Sequence, residues 1–431
     1  MVRAGSGVAL ALCCLMSVGA HYGKHALSAL GPELMSELRL NKRQFGLIFS
    51  AQELPGVVLP LYAGVIVGVL QPHVAAVVLT SAVFIGQLLV TFAVRIQSYT
   101  VLLLGRIVFG LGDGALVVLQ GFIIGKWFAA REPEDVELVE HRGKLGLSTA
   151  YGIMLLCSRL SSFSALGSPA MISSTCTGGL TCALQFALVV CGVSLVAGLA
   201  FWWFFGHYYG SDWSGGRSVG GFFRIYNLEY VLLISIWMLV SAAFFSFVHF
   251  APALFSQRYL FSAVDAGFIS SMCLGLAALV SPFLGSLLDR VGHRPDVLIA
   301  GSLLMSAAMF RLLLPSGQTE VFIAVALLGS GFALAPVTLL SSVALVTDES
   351  NLAPALGVFK SCENLSMALA HYVAGLLVDV SGGYTWTLIF LKVLCLWAIA
   401  CAYVLRRYDK TEGGKLMFGK ATKKTGPESR T

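Results

Sequence analysis

The sequence predicts an all-α membrane protein whose twelve transmembrane helices form two six-helix bundles. Three observations carry this. Of 431 residues, 57% are hydrophobic and only 12% charged, whereas an ordinary soluble domain has about 25% charged residues. Hydropathy rises in twelve stretches that each reach the roughly 20 apolar residues needed to cross a bilayer. The second six stretches repeat landmarks of the first six. No separate soluble domain is left over.

Taken in order, the spans fall near 5–30, 43–69, 73–94, 99–125, 144–166, 180–206, 228–256, 264–288, 296–314, 319–346, 354–378 and 384–405. The first opens with Arg3 and an apolar run ending "SVGA" (Ser17 to Ala20), which also fits a cleaved signal peptide. The twelve-span count keeps it as a helix. Shifting the chain by 221 positions sets Gly46-Leu47-Ile48 on Gly267-Phe268-Ile269 and Gly64 on Gly285, so span two returns as span eight. Span five opens "KLGLST" at Lys144 where span eleven opens "ALGVFK" at Ala355. Gly110-x-Gly112 in span four returns as Gly329-x-Gly331 in span ten. The predicted divisions are an amino-terminal bundle (1–206), a Gly-rich cytoplasmic connector (207–227), a carboxy-terminal bundle (228–408) and a basic cytoplasmic tail (409–431). A parallel duplication of this kind suits a protein that rocks one bundle against the other.

Lys and Arg in the loops set the orientation. Arg3, Lys126, Arg131, Arg142, Lys144, Arg217, Arg224, Arg290, Arg294 and eight basic residues from Arg406 onward share one side. The other side holds Arg39, Lys42, Arg43, Arg95, Arg258 and Arg311. Both termini are therefore expected in the cytoplasm. The net charge of +6 is a topology signal plus a solvated tail, not a footprint for nucleic acid. Of ten cysteines, Cys176 and Cys182 ("STCTGGLTC") fall on the non-cytoplasmic side, where they either pair or stay as two thiols. The sequon Asn364-Leu365-Ser366 lies inside a span, so no glycan is expected on it.

"GSLLDRVGHR" (Gly285 to Arg294) resembles the G-x-x-x-D-R-x-G-x-R signature of the major facilitator superfamily. "GRIVFGLGDGALVV" (Gly105 to Val118) resembles that superfamily's fourth-helix motif, and Trp127-Phe128 with Arg142-Gly143 its loop between helices four and five. The resemblance implies the major facilitator fold over the whole length. It implies structural or gating roles for Arg106, Gly110, Gly112, Gly285, Asp289, Arg290, Gly292 and Arg294. Asp289 would meet the positive amino end of a neighbouring helix and latch the cytoplasmic side. Its first-half counterpart is Gly68, so that latch is expected in the second half alone. "YGKHAL", "VFIGQLLVTFA", Arg159 in "LCSRLSS" and "ALGVFKSCENLSMALAHYVAGLLVDVSGGY" are similar to the lysosomal dipeptide-transporter group of the superfamily. That group carries a Glu in the fourth helix where this chain has Gly114. Asp113 is adjacent, about 100° round the helix.

Charge at bilayer depth normally faces a partner or a wet cavity. The candidate substrate-binding residues are Tyr22, Lys24, His25, Glu53, Asp113, Arg159, His249, Lys360 and Glu363. Nearly all deep charges fall on spans that, in the superfamily, line or flank the central cavity. Lys24 and Arg159 have no opposite charge within a helical turn, so substrate contact is the expected role. Lys360 and Glu363 are spaced to neutralise each other instead. His25, His249 and His371 either relay protons or act as packing groups. Lys392 has no assigned role.

A cation for a carboxylate and acids for an ammonium suit a small zwitterion, such as a dipeptide or amino acid. The phenylalanines of "FFSFVHF" (Phe244 to Phe250) supply apolar and cation–π walls. Monocarboxylates or other small organic anions are the competing class. A receptor or scaffold that no longer transports is the reading of a different kind. "REPEDVELVE" (Arg131 to Glu140) reads as a solvated loop, and no Walker loop, metal-spaced cluster or nucleophile elbow is present in the sequence. An enzyme is therefore not expected, and neither a cofactor nor a metal is implied. Expected partners are a small-molecule substrate and the lipid bilayer. The dipeptide-transporter group adds a single-span glycosylated accessory subunit. The expected location is a lysosomal or related acidic-compartment membrane, with the plasma membrane as alternative. Glu412 to Met417 resembles an acidic dileucine sorting signal.

Overall fold

A computed structural model describes residues 2–62, 71–128, 147–206, 227–314, 317–347 and 352–417. Gly64, the Arg131–Glu140 loop, all of the connector before Asn227 and the tail beyond Met417 lie outside these residues, as do the side chains of Asp289 and Arg290.

Among the described residues the chain is helical throughout. In a bilayer every backbone N–H and C=O must be satisfied internally, and an apolar helix does this within one segment. The first half comprises α1 (Val2–Ala29), α2 (Gly31–Glu37), α3 (Lys42–Glu53), α4 (Pro55–Val58), α5 (Pro72–Arg95), α6 (Tyr99–Phe128), α7 (Leu147–Gly167), α8 (Pro169–Thr175) and α9 (Gly179–Gly206). The second comprises α10 (Leu228–Tyr259), α11 (Ala263–Val291), α12 (Arg294–Leu313), α13 (Gln318–Val346), α14 (Leu352–Ser381) and α15 (Thr385–Thr411). Ten of these are long and apolar enough to cross a membrane. The other two expected spans are α7 and the chain from α3 onward. The latter is not one helix. It ends at Glu53, restarts at Pro55 and tightens to a 3-10 turn over Leu59–Tyr62, because Pro55 and Pro60 lack the N–H that continues an α-helix.

Local chemistry sets several helix starts. Asn41 and Gln44 form a reciprocal capping box at α3. Asn227 caps α10 through the Tyr230 N–H, and Ser262 caps α11 through the Asp265 N–H.

In the first half α1 packs on α7 and α9, and α5 on α6 and α9. In the second, α12 packs on α13 and α15, and α10 on α14 and α15. Two broad seams join the halves, α3 against α14 and α7 against α11, with α1 against α10 between them. The first seam depends on glycine. A Cβ at Gly46 would strike the His371 carbonyl, and one at Gly375 the Lys42 carbonyl. Gly46→Ala is therefore expected to cost about 1–3 kcal/mol through overpacking. Gly152→Ala has open space within 4 Å and is expected to stabilise slightly. Melting midpoints of the two purified variants check this.

Gly292 ends α11 with φ 75° and ψ −125°, a backbone that side-chain-bearing residues avoid. The loop it opens is covered by the tail. Met417 and Leu416 carbonyls accept the His293 and Arg294 N–H groups at 3.0 and 3.1 Å. Asp409 holds the Leu416 N–H at 2.9 Å. Leu416 is fully buried and Met417 nearly so. The dileucine-like pair is thus not presented as a free signal, because its apolar side chains pack into the second half.

Candidate functional site

The charged residues of α1, α3 and α6 converge on one cluster. Lys24 Nζ lies 2.7 Å from Glu53 Oε1 and 3.6 Å from Asp113 Oδ2. Gln52 Nε2 donates to Asp113 Oδ2 at 3.2 Å, while its Oε1 accepts from Arg106. Arg106 also donates to the carbonyls of Gly23 and Lys24, at 3.1 and 3.4 Å. It stacks over Phe109 at 5.2 Å and is wholly buried. Lys24 has no opposite charge within a helical turn of α1, yet it is paired in the fold. Both carboxylates reach it from other helices, which spacing along α1 alone does not reveal. A Cβ at Gly110 or Gly112 would collide with the backbone of α3 or α5, so these glycines let α6 approach both.

Asp113 and Gly114 part ways. Asp113 turns to Lys24 and Gln52, whereas Gly114 lies against Gly56 of α4. An acidic side chain at 114 would press on that neighbouring backbone.

A second cluster spans the two halves. His25 of α1, His249 of α10 and His371 of α14 form a row, with ring centroids 5.4 and 4.6 Å apart. Phe49 stacks on His249 at 4.1 Å, and Ser246 Oγ meets His371 Nδ1 at 2.9 Å. Neither nitrogen of His249 has a hydrogen-bond partner among the described residues.

Arg159 differs from the other deep cations. Among the described residues it makes no hydrogen bond or ion pair. Its guanidinium sits 5.6 Å from the Phe332 ring centre. Phe332 stacks on Phe244 at 3.6 Å and lies 5.4 Å from Phe245, with Trp237 and Phe359 extending the aromatic wall. Glu363 acts on Arg159 electrostatically but from beyond ion-pair range. It is held by Lys360 Nζ at 2.9 Å, as the spacing of those two residues suggests.

Tyr22 stands apart from these groups. Its hydroxyl and Ser168 Oγ are 2.7 Å apart, and its ring meets Phe186 edge-on. Cys176 and Cys182 are disulfide-bonded. Lys392 lies 4.4 Å from the Phe310 ring centre, on the rim between α12 and α15. Arg294 is buried, and its Nε donates to Ser341 Oγ at 3.3 Å. Gln52 and Ser246 are not among the sequence-predicted site residues, and Asn364 enters there only as a sequon inside a span. Asn364 Nδ2 donates to the Gly56 carbonyl at 2.5 Å, next to the broken span. Gln52 was legible, since an uncharged polar residue at bilayer depth beside Glu53 needs partners of its own.

Membrane-spanning helices in two halves, joined across a charged and aromatic interior, define a multi-pass membrane transporter of the major facilitator fold. The Major Facilitator Superfamily profile matches residues 236–426. A solved structure of the nucleoside transporter NupG superposes with a TM-score of 0.66 at 14% identity, covering 93% of this chain and 98% of that one. A point mutant of the same transporter superposes with a TM-score of 0.68 at 13% identity, over 94% and 100%. The profile match lies in the second half of the chain, and the superpositions show the major facilitator fold over most of its length. The chain is also similar to the lysosomal dipeptide transporter MFSD1 of Mus musculus, 23% identical over 95% of this chain and 88% of the relative. The Danio rerio MFSD1 is 24% identical over 97% and 91%, and the Homo sapiens MFSD1 is 23% identical over 95% and 87%.

Proposed function

We propose that the protein moves small zwitterionic solutes, dipeptides or amino acids, across its membrane by alternating access. Arg159 carries the reading. It is a guanidinium in the protein interior with an aromatic ring on one side and no carboxylate in contact among the described residues. A substrate carboxylate is the natural ligand for such a fork. Glu53, Asp113 and Glu363 offer acids for the ammonium end, each shared with a lysine that can yield. The names of the relatives support the same substrate class and a lysosomal or related acidic-compartment membrane. Loop charges favour cytoplasmic termini. A single-span glycosylated accessory subunit fits a chain whose sequon at Asn364 is buried within α14.

Uptake into liposomes containing the full-length protein tests the reading, with labelled dipeptides, amino acids and monocarboxylates compared side by side. Saturable uptake of dipeptides or amino acids is expected. Uptake of monocarboxylates alone would replace this reading with anion transport. No uptake of any class, with intact protein, would favour the scaffold.

A further inference from the structure

The amino end of α3 and the carboxyl end of α14 meet on the face opposite the two termini. There Asp379 reaches across from the second half to the first. Its Oδ1 accepts the Lys42 N–H at 2.7 Å, and its Oδ2 accepts the Arg43 N–H at 2.7 Å. Asn41 takes the next free donor, the Gln44 N–H, also at 2.7 Å. The first turn of α3 is thus satisfied jointly, one donor by its own cap and two by a carboxylate from the opposite bundle.

We propose that Asp379 is a gating residue, a clasp that holds the two halves together on this face and must release when the transporter opens there. The proposal rests on the transporter class and not on the substrate. A carboxylate at a helix amino end gains from two charge-assisted hydrogen bonds and from the helix dipole together. Both N–H groups belong to one half and both acceptors to the other, so no local rearrangement can keep them once the seam parts. Three contacts beside the clasp are of the same kind. Gly46 and Gly375 bring the backbones of α3 and α14 together. Lys42 lies over Tyr384 at 5.5 Å, and Arg43 over Tyr372 at 5.2 Å.

The internal repeat makes the assignment sharper. In the register that sets Gly46 on Gly267, the cap Asn41 falls on Ser262, which caps α11 in the same way. In the register that sets Lys144 on Ala355, Asp379 falls on Ser168. Ser168 contacts Tyr22 of its own half instead. At α11 the Ser262 hydroxyl and the Asp265 carboxylate turn toward each other at 2.6 Å. Among the described residues, the α7–α11 seam therefore has no counterpart of this carboxylate clasp.

The test removes a donor without touching the acid. Lys42 is the first residue of α3, where Pro is well tolerated. Asn41 before it is already extended, with φ −81° and ψ 169°, as a residue preceding Pro must be. Lys42→Pro deletes one clasp donor, whereas Lys42→Ala keeps it and removes only the side chain. Both would be made in the full-length protein in lipid nanodiscs. Spin labels on unnatural residues at Glu37 and Trp386 would report the separation of the halves on this face. Lys42→Pro is expected to raise the separated population at least fivefold over wild type, with Lys42→Ala near wild type. Asp379→Asn, which keeps one acceptor, is expected to fall between. Equal distributions for Lys42→Pro and wild type would overturn the clasp, as would equal shifts for Pro and Ala. If Lys42→Pro does not fold, Asp379→Asn decides, and an unchanged distribution there overturns the proposal.

Discussion

Arg159→Ala is expected to abolish uptake by the reconstituted protein while leaving its melting midpoint nearly unchanged. The two halves of that expectation come from one observation. Most deep cations in this chain are spoken for, Lys24 by two carboxylates, Arg106 by Gln52 and two carbonyls, and Lys360 by Glu363. Arg159 leans on Phe332 and contacts no acid among the described residues. Removing it orphans no carboxylate, so folding loses little. A bound substrate carboxylate loses a bidentate partner, whose charged hydrogen bonds are worth about 3 kcal/mol together, on the order of 100-fold in affinity. Arg159→Lys should recover only part, because an ammonium cannot form the planar fork. Normal uptake by Arg159→Ala would sink the assignment.

Lys24→Met is expected to do the reverse and damage the fold first. It leaves Glu53 and Asp113 charged and buried together, with relative exposures of 4% and 8%. Breaking a buried ion pair from one side costs about 3–5 kcal/mol, which should lower the melting midpoint by roughly 5 °C or more. The same substitution combined with Glu53→Gln and Asp113→Asn removes all three charges at nearly constant volume. That triple variant should melt close to wild type. A single variant as stable as wild type would show that the cluster is not an ion pair that folding depends on. If the triple variant is stable yet inactive, the cluster serves transport as well as structure.

Much of this protein is legible in its sequence. Hydropathy places the spans because a bilayer tolerates no unsatisfied backbone, and this constraint is written locally along the chain. Helix caps are equally local, and Asn41 and Ser262 even keep the repeat register. Lys360 and Glu363 pair as an i, i+3 spacing on one helix suggests. The break in the second span was readable from Pro55 and Pro60, but its apolar run hid it inside a longer hydropathy peak. The polar interior was harder. Lys24 looked unpartnered because its acids lie 29 and 89 positions away, and nothing in α1 announces where α3 and α6 will set them down. Asp113 and Gly114 exchange the expected polarity of the fourth helix, and only the rotation of α6 shows that Asp113 faces Lys24.

By itself, then, the sequence determined the class of molecule, its two-fold repeat, its spans and the stock of charges held at depth. The tertiary structure decided which of those charges neutralise one another, that Arg159 contacts no acid among the described residues, and which helices of the two halves meet. The reason is physical. A span is specified by transfer of consecutive residues into lipid, whereas an ion pair between helices depends on their relative rotation and height. Those are fixed by glycine contacts and side-chain packing summed over whole seams. Asp379 on the α3 amino end is such a consequence, invisible in either segment and evident once the two are brought side by side.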